Sequence, residues 1–326
     1  MNRFNVNELQ MNIIAIHKEF DTQKKCIQYL EKLRWNGVVK CTYCGSDHTK
    51  PAKGEQFRHS CRSCKRTFSV LLDTIFEHTR LPLPDWFVII ALVLNSKRGM
   101  AAKEIERHTG VTYKTAYYTA MRIRIGMLED DTQLDGIIEM DESYFGGKKR
   151  KKNAPKNDPN LSTVSAKRGR GTSKISVAGM VERDGDVKTK VIEKLTKRNL
   201  LHMLKTYAKE DKSLLITDGF KSYSHFDEYI EHMVINHSKA FSKGIVHVNT
   251  IEGFWSYVKN GIRGSYKSIS PKYLPFYLVE YEWKYNHRKF KGDEFKLFLE
   301  NALKHENELE YWKASSPEQV KEIAYS

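Results

Sequence analysis

The sequence predicts a multidomain chain of mixed α+β and α/β class: a helical start, a small cysteine-pinned β module, a pair of helices, and a larger α/β domain on a mixed sheet. Three observations carry this reading. Two Cys-x2-Cys pairs fall at Cys41/Cys44 and Cys61/Cys64, Gly110 divides two amphipathic stretches, and short apolar β-type runs alternate with helical patterns after residue 131. Shifts in pattern place a helical segment at 1–37, the cysteine module at 38–72, a helical region at 73–130, the α/β domain at 131–292 and a helical tail at 293–326.

At 326 residues, 40% hydrophobic and 29% charged, the chain has room for two or three domains and is not disordered throughout. A net charge of +15 points to a polyanionic partner or an anionic membrane surface. The longest apolar stretch, Trp86 to Leu94, is far too short to span a bilayer, and the N-terminus lacks a signal-peptide pattern, so a cytoplasmic protein without a membrane partner is expected. Between Lys148 and Gly171 the sequence carries nine Lys or Arg and one acid, Asp158. That run reads either as a solvated loop or as an arm that grips phosphates, led by Lys148, Lys149, Arg150, Lys151 and Lys152.

The elements follow in order. Residues 6–35 read as helical, with Thr22 as an N-cap before Cys26, Tyr29, Leu30 and Leu33, which makes Cys26 a core thiol. Short β runs cover 38–70, and a helix opened by Pro84 and Asp85 carries Phe87 to Leu94. Two helices over 99–126 meet at Thr109-Gly110-Val111. The second half reads β at 137–145, the basic run, β at 174–182, a turn at Arg183 to Asp186, and β at 187–193. A helix at 196–210, β at 213–217, a short helix and β at 231–237 come next, with helices from Thr250 onward. The Asp-Gly turn makes an antiparallel hairpin and the helical crossover makes parallel neighbours, so the sheet is mixed.

Cys41, Cys44, Cys61 and Cys64 have the spacing of a four-thiolate zinc ribbon. Four thiolates close the coordination shell, so this zinc is structural. His48 and His59 are surplus to the ligand set and are expected at the surface, while Arg58, Arg62, Lys65 and Arg66 make the module basic enough to touch DNA. The paired helices resemble a helix-turn-helix whose second helix starts near Thr112. Lys114, with Arg122 and Arg124 behind it, would then reach nucleic acid; an ordinary helical hairpin is the competing reading.

Asp141 and Asp218 each lie at the end of an apolar β run, and Glu252 opens an amphipathic helix. Metal-dependent phosphodiester chemistry needs carboxylates that hold two divalent ions about 3.5–4 Å apart, and hard oxygen ligands select Mg2+ or Mn2+. Glu139 and Glu142 alternate around Asp141 on the strand, and Asp184 and Asp186 belong to a turn, so these four are less apt ligands. Trp255 and Lys259 fall near the face of Glu252 and could extend the site toward DNA, or be core and solvated surface respectively.

The blocks Met-Asp-Glu-Ser-Tyr-Phe-Gly-Gly around Asp141, Thr-Asp-Gly-Phe-Lys-Ser-Tyr around Asp218, and His-Val-Asn-Thr-Ile-Glu-Gly-Phe-Trp-Ser-Tyr-Val-Lys around Glu252 resemble those of bacterial insertion-sequence transposases of the ISXO-like group. The likeness continues through Tyr273 to Arg288 and includes the N-terminal ribbon. It implies a ribonuclease-H-like core and an Asp-Asp-Glu triad followed by lysine, falling here on Asp141, Asp218, Glu252 and Lys259. Some related elements carry asparagine in place of the third acid, which draws attention to Asn249. The implied function is a DNA transposase that cleaves element ends and transfers strands as a homo-oligomer on double-stranded DNA. A non-catalytic DNA-binding regulator and a nuclease without strand transfer are the alternatives.

Overall fold

In the computed structural model, which describes residues 12–129, 132–146, 174–235 and 246–304, the chain forms two units, one of 12–129 with 279–304 and the other of 132–278. The basic run at 148–171, with Lys148, Lys149, Arg150, Lys151 and Lys152, lies outside the described residues, as does 6–11.

The first unit begins with two helices, α1 (Ile13–Glu19) and α2 (Gln23–Trp35), where the sequence suggests one. Thr22 interrupts them: its side chain accepts from the Lys25 amide at 3.4 Å, which starts α2 as an N-cap does. Cys26 is fully buried and donates to the Phe20 carbonyl at 3.6 Å. Burial pushes its thiol up to about 12, so it is an inert core residue. The cysteine module folds as a three-stranded antiparallel sheet of β1 (Thr49–Pro51), β2 (His59–Cys61) and β3 (Thr67–Phe68).

Helix α3 (Leu83–Asn95) buries residues around its whole circumference, from Leu83 and Trp86 to Leu94, so the apolar stretch in the sequence is a central core helix. No helix among the described residues is long and apolar enough to cross a membrane. Helix α4 (Ala102–Thr109) ends at Gly110, whose φ of +74° is left-handed and suits glycine. Thr112 then caps α5 (Tyr113–Ile125) by accepting from the Thr115 amide.

The second unit is built on β4 (Leu134–Phe145), β5 (Ile175–Glu182), β6 (Val187–Val191), α6 (Lys197–Tyr207), β7 (Ala208–Asp218), β8 (Glu231–Ile235) and α7 (Asn249–Gly261). The sheet order is β6-β5-β4-β7-β8; β5 is antiparallel to β4 and β6, while β7 is parallel to β4 and β8. This is the mixed sheet that the hairpin and crossover predicted. Along β4, Ile138 and Met140 enter a core with Leu200, Met203 and Leu204 of α6. The alternate residues Glu139 and Asp141 therefore take the face that α7 covers. Strand β7 starts at Ala208, five residues earlier than the apolar run suggests, because pairing of Leu134 with Ala208 holds a segment of polar residues that has no apolar alternation.

The chain continues through α8 (Leu274–Asn286) into α9 (Glu294–Ala302). From Val279 onward it belongs to the first unit, and there Glu280 sits fully buried between two cations. Arg124 Nε donates to one oxygen at 2.8 Å and Lys284 Nζ to the other at 2.6 Å. Burial alone would raise the carboxyl, but Lys284 and Arg124 outweigh it and hold it down at about 2. Its stabilisation is therefore complete above the ordinary glutamate range and is lost as pH falls through about 2. Glu280→Gln leaves two buried cations without a counter-charge and is expected to cost about 3–5 kcal/mol. Denaturant unfolding checks it; a loss under about 1 kcal/mol contradicts the buried pair as a stabilising element.

Candidate functional site

The metal site in the first unit grows from two matching knuckles. The Gly45 amide bonds to Cys41 O at 2.8 Å and the Lys65 amide to Cys61 O at 3.1 Å, and both residues have positive φ, +70° and +63°. Each knuckle thus folds its second cysteine back beside its first. Cys41 Sγ lies 3.7 Å from Cys64 Sγ, and Cys44 Sγ lies 3.7 Å from Cys61 Sγ. A disulfide needs about 2.05 Å, whereas tetrahedral zinc with bonds of about 2.3 Å holds sulfurs about 3.8 Å apart. The donor set fits zinc. The Cys64 amide, donating to Cys61 Sγ at 3.4 Å, helps bring that thiol down to about 6 and favours thiolate.

His48 is exposed, as the sequence suggests, but His59 is not a surface residue. Its Nε2 lies 2.7 Å from Glu31 Oε1, and its ring packs against Trp35 and Phe68, which ties α2 to the ribbon. Arg58, Arg62, Lys65 and Arg66 are all exposed.

The carboxylate centre lies in the second unit. Met140 pairs with Thr217 across the parallel strands, so Asp141 and Asp218, one residue further on, come side by side at the end of the sheet. The carboxylates of Asp141, Glu142 and Asp218 offer one oxygen each within 4.8 Å of one another. Opposite oxygen ligands of a hard divalent ion with bonds of about 2.1–2.4 Å lie about 4.2–4.8 Å apart, so the trio is placed to hold such a cation. Burial, then Asp218 and Glu252, push the Asp141 carboxyl up to about 6; the Glu142 backbone amide and Lys259 act against them. A cation there would relieve this repulsion.

Glu142 is the residue that alternation along the strand set aside. Asp218 is the last residue of β7, so the cluster forms where the β4–β7 pairing stops while β4 runs on against β5, and there the long side chain of Glu142 reaches it. Glu252 is exposed on the first turn of α7 and does not join the 4.8 Å cluster, yet it acts on Asp141 through its charge. Lys259 is half-buried; burial lowers its ammonium while Asp141 raises it. Trp255 is core: it is 3% exposed, packs on Phe145 with ring centroids 5.9 Å apart, and lies over Gly179, where an added Cβ would meet its ring at 2.5 Å. It therefore presents no surface to DNA. Asn249 is exposed at the first position of the same helix.

On α5, Lys114, Tyr118 and Arg122 stand at i, i+4 and i+8 and line one cavity of ≈ 600 Å³, together with His78, Arg80 and Trp86. Lys114 is exposed, whereas Arg122 donates to the Glu77 carbonyl at 2.6 Å and forms the half-buried floor. Arg124 is not a nucleic-acid contact. It falls on the buried face of Ala116 and Ala120 and is spent on Glu280. The sequence held that signal, since 116, 120 and 124 repeat at helical spacing.

A thiolate ribbon and a mixed sheet with a carboxylate cluster where β7 ends define a multidomain protein with two chemically distinct metal-type donor sets. Residues 133–286 match the ISXO2-like transposase domain, and residues 21–67 match the transposase zinc-ribbon domain. The chain thus carries an ISXO2-like transposase domain preceded by a transposase zinc ribbon. A protein in transposable element ISH50 of Halobacterium salinarum is 26% identical over 297 residues, 88% of this chain and 99% of the relative. Among solved structures, a pre-cleavage Mos1 transpososome aligns over 72% of this chain and 77% of its own at 12% identity and a TM-score of 0.26. A simian T-cell lymphotropic virus intasome aligns over 61% and 72% at 14% identity and a TM-score of 0.27.

Cys61→Ser should abolish zinc retention and unfold the ribbon, because the remaining three thiolates leave an open coordination position. Metal content and circular dichroism of the purified variant check this, and retention of wild-type zinc contradicts the ligand set.

Proposed function

We propose that the protein is a DNA transposase that cleaves the ends of its element and joins them to target DNA at the carboxylate centre, with Asp141, Asp218 and Glu252 as the acids and Lys259 beside them. The observation that carries this reading is the convergence of Asp141 and Asp218 at the end of the parallel strand pair, beside a half-buried lysine. The acids would hold Mg2+ or Mn2+; when bound, these ions supply Lewis acidity to the attacking and leaving oxygens. Lys259 orients the scissile phosphate. Water adds to phosphorus and the strand end leaves as a 3′ hydroxyl; that hydroxyl then attacks a target phosphodiester, forming one P–O bond as another breaks.

DNA is held by contacts of two kinds. The exposed ribbon cations and Lys114 at the α5 cavity position the duplex through phosphates, with salt-sensitive affinity. The Lys148 to Lys152 run adds to this grip. Two element ends must be brought together, so the working form is a homo-oligomer on double-stranded DNA, in the cytoplasm where the chromosome is accessible.

The position of Glu142 favours a second arrangement, in which Glu142 and not Glu252 completes the acidic set. Parallel variants separate the two. Asp218→Asn should lower end cleavage by about 10³-fold, as loss of several kcal/mol of transition-state stabilisation requires. Glu252→Gln should do likewise, with Glu142→Gln retaining most activity; the reverse pattern assigns the third ligand to Glu142. Undiminished cutting by Asp218→Asn removes Asp218 from the site, whereas binding of end DNA without any cutting by the wild-type protein leaves a DNA-binding regulator. Cut ends without joined products identify a nuclease.

A further inference from the structure

Helix α7 lacks a cap of its own. Its N-cap position is Val248, which has no polar side chain, so the amides of the first turn need an acceptor from elsewhere. Glu139, on β4, supplies it. One carboxylate oxygen accepts from the Thr250 amide at 2.8 Å and the Ile251 amide at 3.0 Å, the second and third residues of the helix. The other accepts from the Thr250 hydroxyl at 3.0 Å and from Arg183 Nε at 2.6 Å. Arg183 in turn donates through Nη2 to the His247 carbonyl at 2.9 Å, just before the helix.

Glu139 is fully buried, and a buried carboxylate is costly unless its oxygens are paired. Here they are, by one cation and by the positive end of a helix dipole. Glu139 also lies two residues from Asp141 on the same face of the same strand, roughly 6.6 Å along it. The group that fixes where α7 begins is thus rigidly linked to the aspartate that α7 faces. Glu252 follows Ile251 directly, and its amide closes the first helical bond, to Val248 O at 3.1 Å.

We propose that Glu139 is a positioning residue: a cap lent by β4 to α7, locked by Arg183, that sets the placement of Glu252 and Lys259 relative to Asp141 and Asp218. This rests on the transposase reading of the same centre. Glu139 itself need not touch metal or DNA, because its oxygens are already committed to α7 and Arg183.

The test is Glu139→Gln in the full-length protein, with end-DNA cleavage titrated against Mn2+. Glutamine keeps the volume, but its amide turns donors toward either Arg183 or the helix amides. The Mn2+ requirement should rise and the cleavage rate fall, each by about tenfold, the factor that corresponds to loss of one helix cap. Affinity for end DNA without divalent ions should stay within about twofold, since phosphate contacts elsewhere carry it. Adding Val248→Thr, a side chain that caps helices, should recover much of the lost rate. A wild-type rate and Mn2+ requirement in Glu139→Gln overturns the proposal, as does an equal fall in DNA affinity or failure of Val248→Thr to rescue. If Glu139→Gln does not fold by circular dichroism, Arg183→Lys carries the test: a raised Mn2+ requirement supports the clamp and an unchanged one overturns it. Asp141→Asn run in parallel separates the two claims, because its cleaving normally would sink the transposase reading itself, whereas an inactive Asp141→Asn beside a normal Glu139→Gln sinks the clamp alone.

Discussion

The carboxylate centre depends on one register, that of β4 against β7. Parallel pairing of Met140 with Thr217 delivers Asp141 and Asp218 to the same level of the sheet. Period-two geometry makes this constraint severe, since a slip of one residue would turn either side chain to the opposite face. The apolar residues on the other face of β4, Ile138 and Met140, fix the register by their burial against α6. Core packing on one side of the sheet thereby determines acid placement on the other.

Bringing carboxylates together works against stability. Burial is the main cause that pushes the Asp141 carboxyl up, and Asp218 and Glu252 add to it; the acids of the cluster are left half-buried. Among the described residues, the two carboxylates with no exposure are treated differently. Glu280 is matched by Arg124 and Lys284, and Glu139 by Arg183 and the start of α7. Burial without pairing would be prohibitive for either. The same economy explains why Trp255 lies on Gly179: Gly179 pairs with Asp141 in the sheet, and only a residue without a side chain lets α7 approach there.

What could be read from the sequence was what local pattern encodes. The cysteine knuckles and the Gly110 division are set by neighbours within a few residues, and the ribbon and the paired helices follow from them; the apolar runs that end at Asp141 and Asp218 mark the acids, while the β4–β7 register brings the two together. Glu142 escaped because alternation describes Cβ directions along a strand and not the reach of a side chain at its end. Glu139 escaped because its partners lie 44 and 111 residues away along the chain. Arg124 was misread as a DNA contact although its spacing from Ala116 and Ala120 marked it as buried; charge was given more weight than period. The start of β7 was hidden since pairing, not hydrophobicity, holds it.

Asp141 and Asp218 are placed to hold a divalent ion where the β4–β7 pairing stops. Anomalous diffraction from crystals of the full chain soaked in Mn2+ tests it most directly. A manganese peak is expected within about 2.2 Å of oxygens from both aspartates. A protein saturated with Mn2+ whose anomalous peaks all lie away from Asp141 and Asp218 would contradict it.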